Sequence, residues 1–237
     1  MNLSAEEKIM YRVMTAICNS GIPMSFKGSM VLKACLLEAG YSEDTRHTVD
    51  IDGNWYSDAI LSEKDMAESL QKALDNNGLC LEVSISRLYG KGRSAGFDLI
   101  DKTSGEALFS MDIDVNHTSG SSRIYELEGV SFRGVSPSQM IADKVQVLSS
   151  DKIFRRIKDL IDLYYLSHIF EFDVKEIIDT INESGRMMAD FSGFLFRSDE
   201  LKHSYEKFRF AGDIPKPAFD EIYSIVKEYV KDFLPKK

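Results

Sequence analysis

The sequence has few of the residues that mark secreted, fibrous or disordered proteins. Its 237 residues include only three cysteines and five prolines. Three scattered cysteines favour reduced thiols over a disulfide framework, and they lack the paired spacing of a zinc site. The low proline content and the 43% of hydrophobic residues are typical of a folded chain rather than a disordered one. We therefore expect a globular protein of the cytoplasm.

Long apolar segments and an excess of basic charge are also missing. No apolar run approaches the ~20 residues of a membrane helix. The N-terminal stretch, MNLSAEEKIMYRVM, is acidic and amphipathic, unlike a signal peptide. The formal net charge is −9, whereas a general nucleic-acid binder is basic because phosphate contacts supply its affinity. We expect no membrane partner, and any nucleic-acid contact must use a local basic patch.

The hydrophobic pattern predicts an α/β protein whose sheet is mixed, because hairpins and a strand–helix–strand unit coexist. Strands are expected at 22–26 and 46–52, the second broken by Gly53-Asn54, and period-two patterns fill 79–135 with a hairpin turn at 103–105. Helices are expected at 4–19, 30–40, 61–77, 138–149, 152–170, 173–183, 198–208 and 217–233. This order divides the chain into an α/β part, residues 1–135, and a helical part, residues 136–237.

Two aspartates stand side by side in the stretch RHTVDID. Residues two apart on a strand share a face, so Asp50 and Asp52 lie roughly 7 Å apart while Val49 and Ile51 face the core. Two carboxylates this close repel each other unless a cation lies between them. The pattern favours a divalent-cation site, with a solvated edge strand as the alternative.

A second acidic strand strengthens this prediction. In FSMDIDVNH, Asp112 and Asp114 alternate with apolar residues and share one face. If this strand neighbours the first, one of these acids completes a three-carboxylate cluster. Such oxygen ligands suit Mg²⁺ or Mn²⁺.

Two further stretches carry groups suited to phosphates. Gly28 and Ser29 lie between a strand and a helix, where backbone N–H groups and the helix N-terminus favour an anion. The same pattern also occurs in ordinary helix caps. Residues 144–158 form a positive island in an acidic chain, either as a solvated helix face or as a clamp for triphosphate or RNA. Its basic residues are Lys144, Lys152, Arg155, Arg156 and Lys158.

Together these stretches resemble a known family. FKGSMVLKACLLEAG…RHTVDID resembles the first motif of the nucleotidyltransferase superfamily, and KGSMVL with R-x-T-x-D-I-D is similar to its AbiEii-type toxin branch. ADKVQVLSSDKIFRRIKDLIDLYYLS (142–167) resembles the helical motif of that branch. The chain departs from the pattern at Ser29, where a second glycine is commonest, and at Met30, where a threonine is usual.

The resemblance implies a nucleotidyltransferase-like core at residues 1–135 and a role for each matching residue. Metal ligands would be Asp50, Asp52 and Asp114, with Asp112 as the other choice for the third acid. Nucleotide-binding residues would be Gly28, Ser29, Arg46 and Lys144. Asp159 and Asp162, on the motif helix, would complete the catalytic set, orienting Lys144 or an arginine.

The implied function is metal-dependent transfer of a nucleotide from a nucleoside triphosphate to a hydroxyl. By the same resemblance, the acceptor would be RNA such as tRNA, and the protein would be a toxin of a toxin–antitoxin or abortive-infection system, restrained by a cognate antitoxin. Two alternatives stay open at this point. One is transfer to a small molecule, and the other is a nucleotide-binding module without catalysis.

Overall fold

The computed structural model describes residues 3–41, 45, 47–58, 61–89, 94–116, 120–127, 129–210 and 215–234. By its internal contacts the chain divides into two compact units. The first unit comprises Met1–Glu38 with His47–Val135, and the second comprises Ala39–Arg46 with Ser136–Lys237. That residues 1–135 and 136–237 are separate domains stays a prediction. No helix among the described residues is both long and apolar enough to cross a membrane.

The described residues of the first unit form three helices and seven strands. The helices are α1 (Ala5–Asn19), α2 (Gly28–Glu38) and α3 (Glu63–Asn76). The strands are β1 (Met24–Lys27), β2 (Asp50–Tyr56), β3 (Leu81–Tyr89), β4 (Ser94–Asp101), β5 (Ala107–Asn116), β6 (Ser122–Leu127) and β7 (Val130–Val135). They form one sheet in the order β3-β4-β5-β2-β1-β7-β6. Because β2–β5 and β1–β7 are parallel and the other pairs antiparallel, the predicted mixed α/β sheet is confirmed.

The sheet has one apolar and one polar face, as the period-two pattern predicts. The apolar face is the core of the first unit; its fully buried side chains include Phe26, Ile51, Phe97, Met111 and Phe132. The polar face carries the aspartates of β2 and β5, which are half-buried. Trp55 lies on the apolar face with 6% of its surface exposed, so it is a core residue.

The predicted end of β2 at Gly53-Asn54 is wrong, because the strand continues to Tyr56. Gly53 lies in the middle of the sheet, where a Cβ would come within 3.0 Å of the Met24 sulfur. Close packing between neighbouring strands, rather than a turn, therefore accounts for this glycine. Val49 precedes the strand and is 63% exposed, so the expectation that it faces the core is wrong as well.

A side chain protects one outer edge of the sheet. Gln71 of α3 donates from Nε2 to the carbonyl of Leu81 (3.0 Å), and its Oε1 accepts from the N–H of Val83 (2.8 Å). These are the groups of edge strand β3 that would otherwise face away from the sheet unpaired. The amide of Gln71 therefore makes two hydrogen bonds that a further strand would otherwise make with β3.

The described residues of the second unit form six α-helices. They are α4 (Pro137–Leu148), α5 (Ile157–Ser167), α6 (Val174–Glu183), α7 (Ser192–Phe196), α8 (Ser198–Lys207) and α9 (Phe219–Tyr229). The single helix predicted at 152–170 is instead a 3₁₀ turn, Asp151–Arg155, followed by α5. The chain bends at Arg156 (φ −121°, ψ 42°), whose guanidinium bonds to Asp159 in the first turn of α5.

Candidate active site

The turn between β1 and α2 is built around Gly28. This residue has a φ of +75°, which strongly favours glycine, and a Cβ there would collide with the carboxylate of Asp52. The Asp52 carboxylate thus lies directly against the start of α2. No acidic residue occupies the first turn of α2, so its N–H groups and its positive end favour an anion. Ser29 follows in that turn, and its hydroxyl bonds to the hydroxyl of Thr48.

Strand register brings the acids of β2 and β5 onto one face. Asp52 is paired with Asp112 across the parallel β2–β5 ladder and with Lys27 across the antiparallel β1–β2 ladder. Asp114 is paired with Asn54, two residues further along the strands and on the same face. The two acidic strands are therefore neighbours, which is the condition for one acid of β5 to join Asp50 and Asp52.

Asp114 is held by two groups of the protein. Its Oδ2 lies 2.5 Å from the ammonium of Lys27, and its Oδ1 accepts from the hydroxyl of Ser94 (2.6 Å). Burial raises the pKa of Asp114, but the charge and hydrogen bond of Lys27 and the Ser94 bond outweigh it, so the pKa lies below its ordinary value. Lys27 also donates to Asn54 (2.9 Å). An ammonium thus occupies the space between Asn54 and Asp114.

Asp112 has a different partner. Arg87 of β3 donates to its Oδ1 at 3.0 Å, and both side chains are at least one-third exposed. Each acid of β5 is therefore matched by a cation of the chain itself. In the part of the chain that the structure describes, no three acidic, histidine or cysteine side chains lie together as a metal site. Which acid of β5 joins Asp50 and Asp52 stays a prediction, and Arg46 lies outside the described residues.

A second cluster lies within the helices of the second unit. Lys144 of α4 donates to Asp162 (2.7 Å) and Asp159 (3.4 Å) of α5, and all three residues are buried. Arg156 adds two bonds to Asp159, at 2.8 and 3.2 Å. The structure therefore brings together the three residues that the helical motif singles out. The basic island divides here, because Lys144 is buried whereas Lys152 and Arg155 are exposed.

The sequence did not indicate that two lysines pair with acids of the first unit. Lys27 contacts Asp114 across 87 positions of sequence, and no local pattern indicates such a pairing. Lys33 pairs with Glu7 in the core of the first unit. The sequence does indicate one role of Glu7, because Ser4 and Glu7 have the spacing of a capping box.

Comparisons with known proteins address the family and the fold of the chain. The family model described as nucleotidyl transferase AbiEii toxin, type IV toxin–antitoxin system, matches residues 12–225. Among solved structures, the chain is similar to MenT4, a nucleotidyltransferase toxin from Mycobacterium tuberculosis. The identity is 14%, the TM-score 0.62, and the match covers 94% of this chain and 81% of MenT4.

A weaker structural likeness is to an antigenic nucleotidyltransferase-like protein from Paracoccidioides brasiliensis. The identity is 14%, the TM-score 0.44, and the match covers 77% of this chain and 88% of that protein. No curated protein matches the chain by sequence. The family match spans most of the sequence, and the fold agrees with it. The chain is therefore a nucleotidyltransferase and belongs to the AbiEii family of toxins of type IV toxin–antitoxin systems.

Proposed function

We propose that the protein transfers a nucleotide from a nucleoside triphosphate to a hydroxyl of RNA, with tRNA as the expected acceptor, in a reaction that depends on a divalent cation. The observation that carries the proposal is the contact between Gly28 and Asp52. It joins an anion-binding helix start to an acidic strand face, the two kinds of group that a metal-bound triphosphate requires. Membership of the family supports a triphosphate substrate and an antitoxin partner.

Asp50 and Asp52 suit Mg²⁺ or Mn²⁺ once a third acid joins them, because they offer carboxylate oxygens on one face and Gly28 places no side chain between the start of α2 and Asp52. In this proposal Asp50 and Asp52 hold the ion, with Asp114 as the third acid. Such an ion neutralises phosphate charge and polarises the reacting phosphate. Asp114 takes this role only when Lys27 releases it. The ammonium of Lys27 is then free beside Gly28, where it can contact phosphate oxygens.

The proposed chemistry joins the acceptor hydroxyl oxygen to the α-phosphorus while the bond to pyrophosphate breaks. Asp114 assists as a ligand or takes the hydroxyl proton. Gly28, Ser29 and Arg46 bind the phosphates. The family motif gives Lys144 a phosphate-binding role, and within the second unit Asp159 and Asp162 fix its ammonium. The exposed basic side chains of the 3₁₀ turn, Lys152 and Arg155, suit contacts to RNA phosphates.

The test incubates the purified protein with each α-labelled nucleoside triphosphate, Mg²⁺ and total RNA. We expect one nucleotide to label RNA, and Asp52→Asn to abolish the labelling. Asp179→Asn, the same change on the exposed face of α6, is the matched control and should label RNA normally. Pyrophosphate release with small-molecule acceptors but without labelled RNA would contradict the RNA acceptor. Labelling that persists in EDTA would contradict the metal.

A further inference from the structure

Glu7, in the first turn of α1, has no exposed surface and uses its two carboxylate oxygens in different directions. Oε2 accepts from the N–H of Ser4 (2.8 Å) and completes the capping box of α1. Oε1 points away from its own helix and accepts from the ammonium of Lys33 (2.7 Å) and from the N–H of Thr48 (3.3 Å). One oxygen therefore caps α1, and the other joins α2 to the segment that leads into β2.

The Glu7–Lys33 pair is not explained by stability alone. Lys33 is 3% exposed, so both charges have lost their water. Replacing a buried ion pair by apolar residues of similar volume is often neutral or stabilising, because desolvation offsets the attraction between the charges. The capping box needs only Oε2 of Glu7, and it needs no lysine. A buried lysine at this place is therefore better explained by a role in positioning the elements that Glu7 joins.

Two of the partners of Glu7, Lys33 and Thr48, lie next to the candidate phosphate site. Lys33 is four residues after Ser29 on α2, so the two share a helix face. Thr48 is 5% exposed, and its hydroxyl bonds to that of Ser29. Glu7 thus fixes both elements that carry the Ser29–Thr48 contact, the start of α2 through Lys33 and the approach to β2 through Thr48.

We propose that Glu7 and Lys33 are positioning residues for the triphosphate: they set the distance between the Gly28–Ser29 turn and the acidic strand β2. The inference rests on the proposed function, because it takes this turn as the phosphate-binding site. Neither residue touches substrate. Their removal should weaken binding of the triphosphate more than it slows the chemical step.

The test compares Glu7→Gln, Lys33→Met and the double variant that carries both changes. Each single variant leaves one partner without its counter-charge and should lower the thermal midpoint, whereas the double variant should recover most of that loss. The matched control is the double variant Glu38→Gln, Arg123→Met, which removes an ion pair at the β6 edge of the same sheet. Binding of each nucleoside triphosphate is measured by calorimetry, beside KM and kcat.

For the double variant at Glu7 and Lys33, we expect Kd and KM for the triphosphate to rise about tenfold with kcat within about threefold. The control pair should leave all three values near those of the wild type. Unchanged Kd and KM in a folded double variant would overturn the inference while the proposed function stands. A wild-type protein that binds no triphosphate would overturn both.

Thr48→Val and Thr48→Ser test the same inference without touching the ion pair. Valine keeps the shape of threonine and removes the hydroxyl that Ser29 contacts, whereas serine keeps the hydroxyl. We expect Thr48→Val to raise KM as the double variant does and Thr48→Ser to restore it. Equal KM values for both variants and the wild type would overturn the inference, even if the variants at Glu7 fail to fold.

Discussion

The two acidic clusters of the molecule differ in how their carboxylates are satisfied. On the sheet face of the first unit, the acids are half-buried, and those of β5 are paired with cations that are themselves partly exposed. In the helices of the second unit, Asp159 and Asp162 are buried and bind one buried lysine. Partly exposed acids can exchange a side-chain cation for a ligand at low cost, whereas buried ones cannot. The sheet face is therefore suited to binding, and the helical cluster to holding one ammonium in place.

Asp52→Asn tests the sheet half of this comparison and has the largest expected effect. The change removes the carboxylate at Gly28, and we expect nucleotide transfer to fall about a thousandfold, equal to roughly 4 kcal/mol on the barrier. Stability should change much less than the rate, because asparagine keeps the shape of the side chain. Steady-state rates and urea unfolding measure the two quantities. A large loss of stability with normal rates would reverse the comparison.

Lys144→Met tests the helical half. Two buried acids lose their shared cation, so we expect the free energy of unfolding to fall by about 3 kcal/mol in urea titrations. Adding Asp162→Asn should restore much of the loss, because Asp159 keeps its bonds to Arg156. If this double variant is stable and inactive, the ammonium itself serves the reaction. If it is stable and active, Lys144 is structural.

Gly28→Ala separates backbone strain from the contact with Asp52. A Cβ at φ +75° costs about 1–2 kcal/mol, and here it also meets a carboxylate. Gly21→Ala is the matched control, because Gly21 has a φ of +72° and open space around it. We expect both variants to lose stability through backbone strain, Gly28→Ala to lose more because its Cβ meets the carboxylate, and only Gly28→Ala to lose activity. Equal activities would remove the contact from the proposed mechanism.

The smallest expected effect concerns acid stability in the first unit. Burial raises the pKa of Glu7, but bonds from Lys33, Ser4 and Thr48 outweigh it, so the folded-state pKa is below the ordinary value. Its stabilisation is therefore complete above the ordinary glutamate pKa and is lost as the pH falls through the folded-state value. We expect acid unfolding monitored by circular dichroism to be shallower in the double variant at Glu7 and Lys33. His47, 3.5 Å from Glu7, is retained in both proteins.

Sequence patterns predicted the parts of the fold that local chemistry determines. The helices expected at 4–19 and 61–77 correspond to α1 and α3, and the hairpin turn expected at 103–105 joins β4 to β5. Alternation also placed Asp50 and Asp52 on one face. Gly53 was misinterpreted because its meaning depends on Met24 in a neighbouring strand. The break before α5 lies at Arg156, whose guanidinium bonds to Asp159. The spacing of apolar residues does not indicate this break.

The sequence indicated the acids and the glycine of the candidate site, which stay predictions, but it did not indicate their counter-charges. Family resemblance and strand period indicate which carboxylates share a face. They do not indicate that Lys27 holds Asp114 or that Arg87 holds Asp112, because both pairings depend on the register of distant strands. Side chains that pair across a sheet are far apart in sequence, so local patterns in a single sequence do not reveal the pairing.

The amide of Gln71 has a consequence for solubility. A free strand edge is a template on which another extended chain can add, and such addition is a common start of aggregation. Gln71 occupies the edge of β3 at Leu81 and Val83, and the bulge between Ile85 and Arg87 interrupts its regular pairing further along. One side chain and one irregularity thus make this edge of the described sheet a poor template for a strand of another molecule.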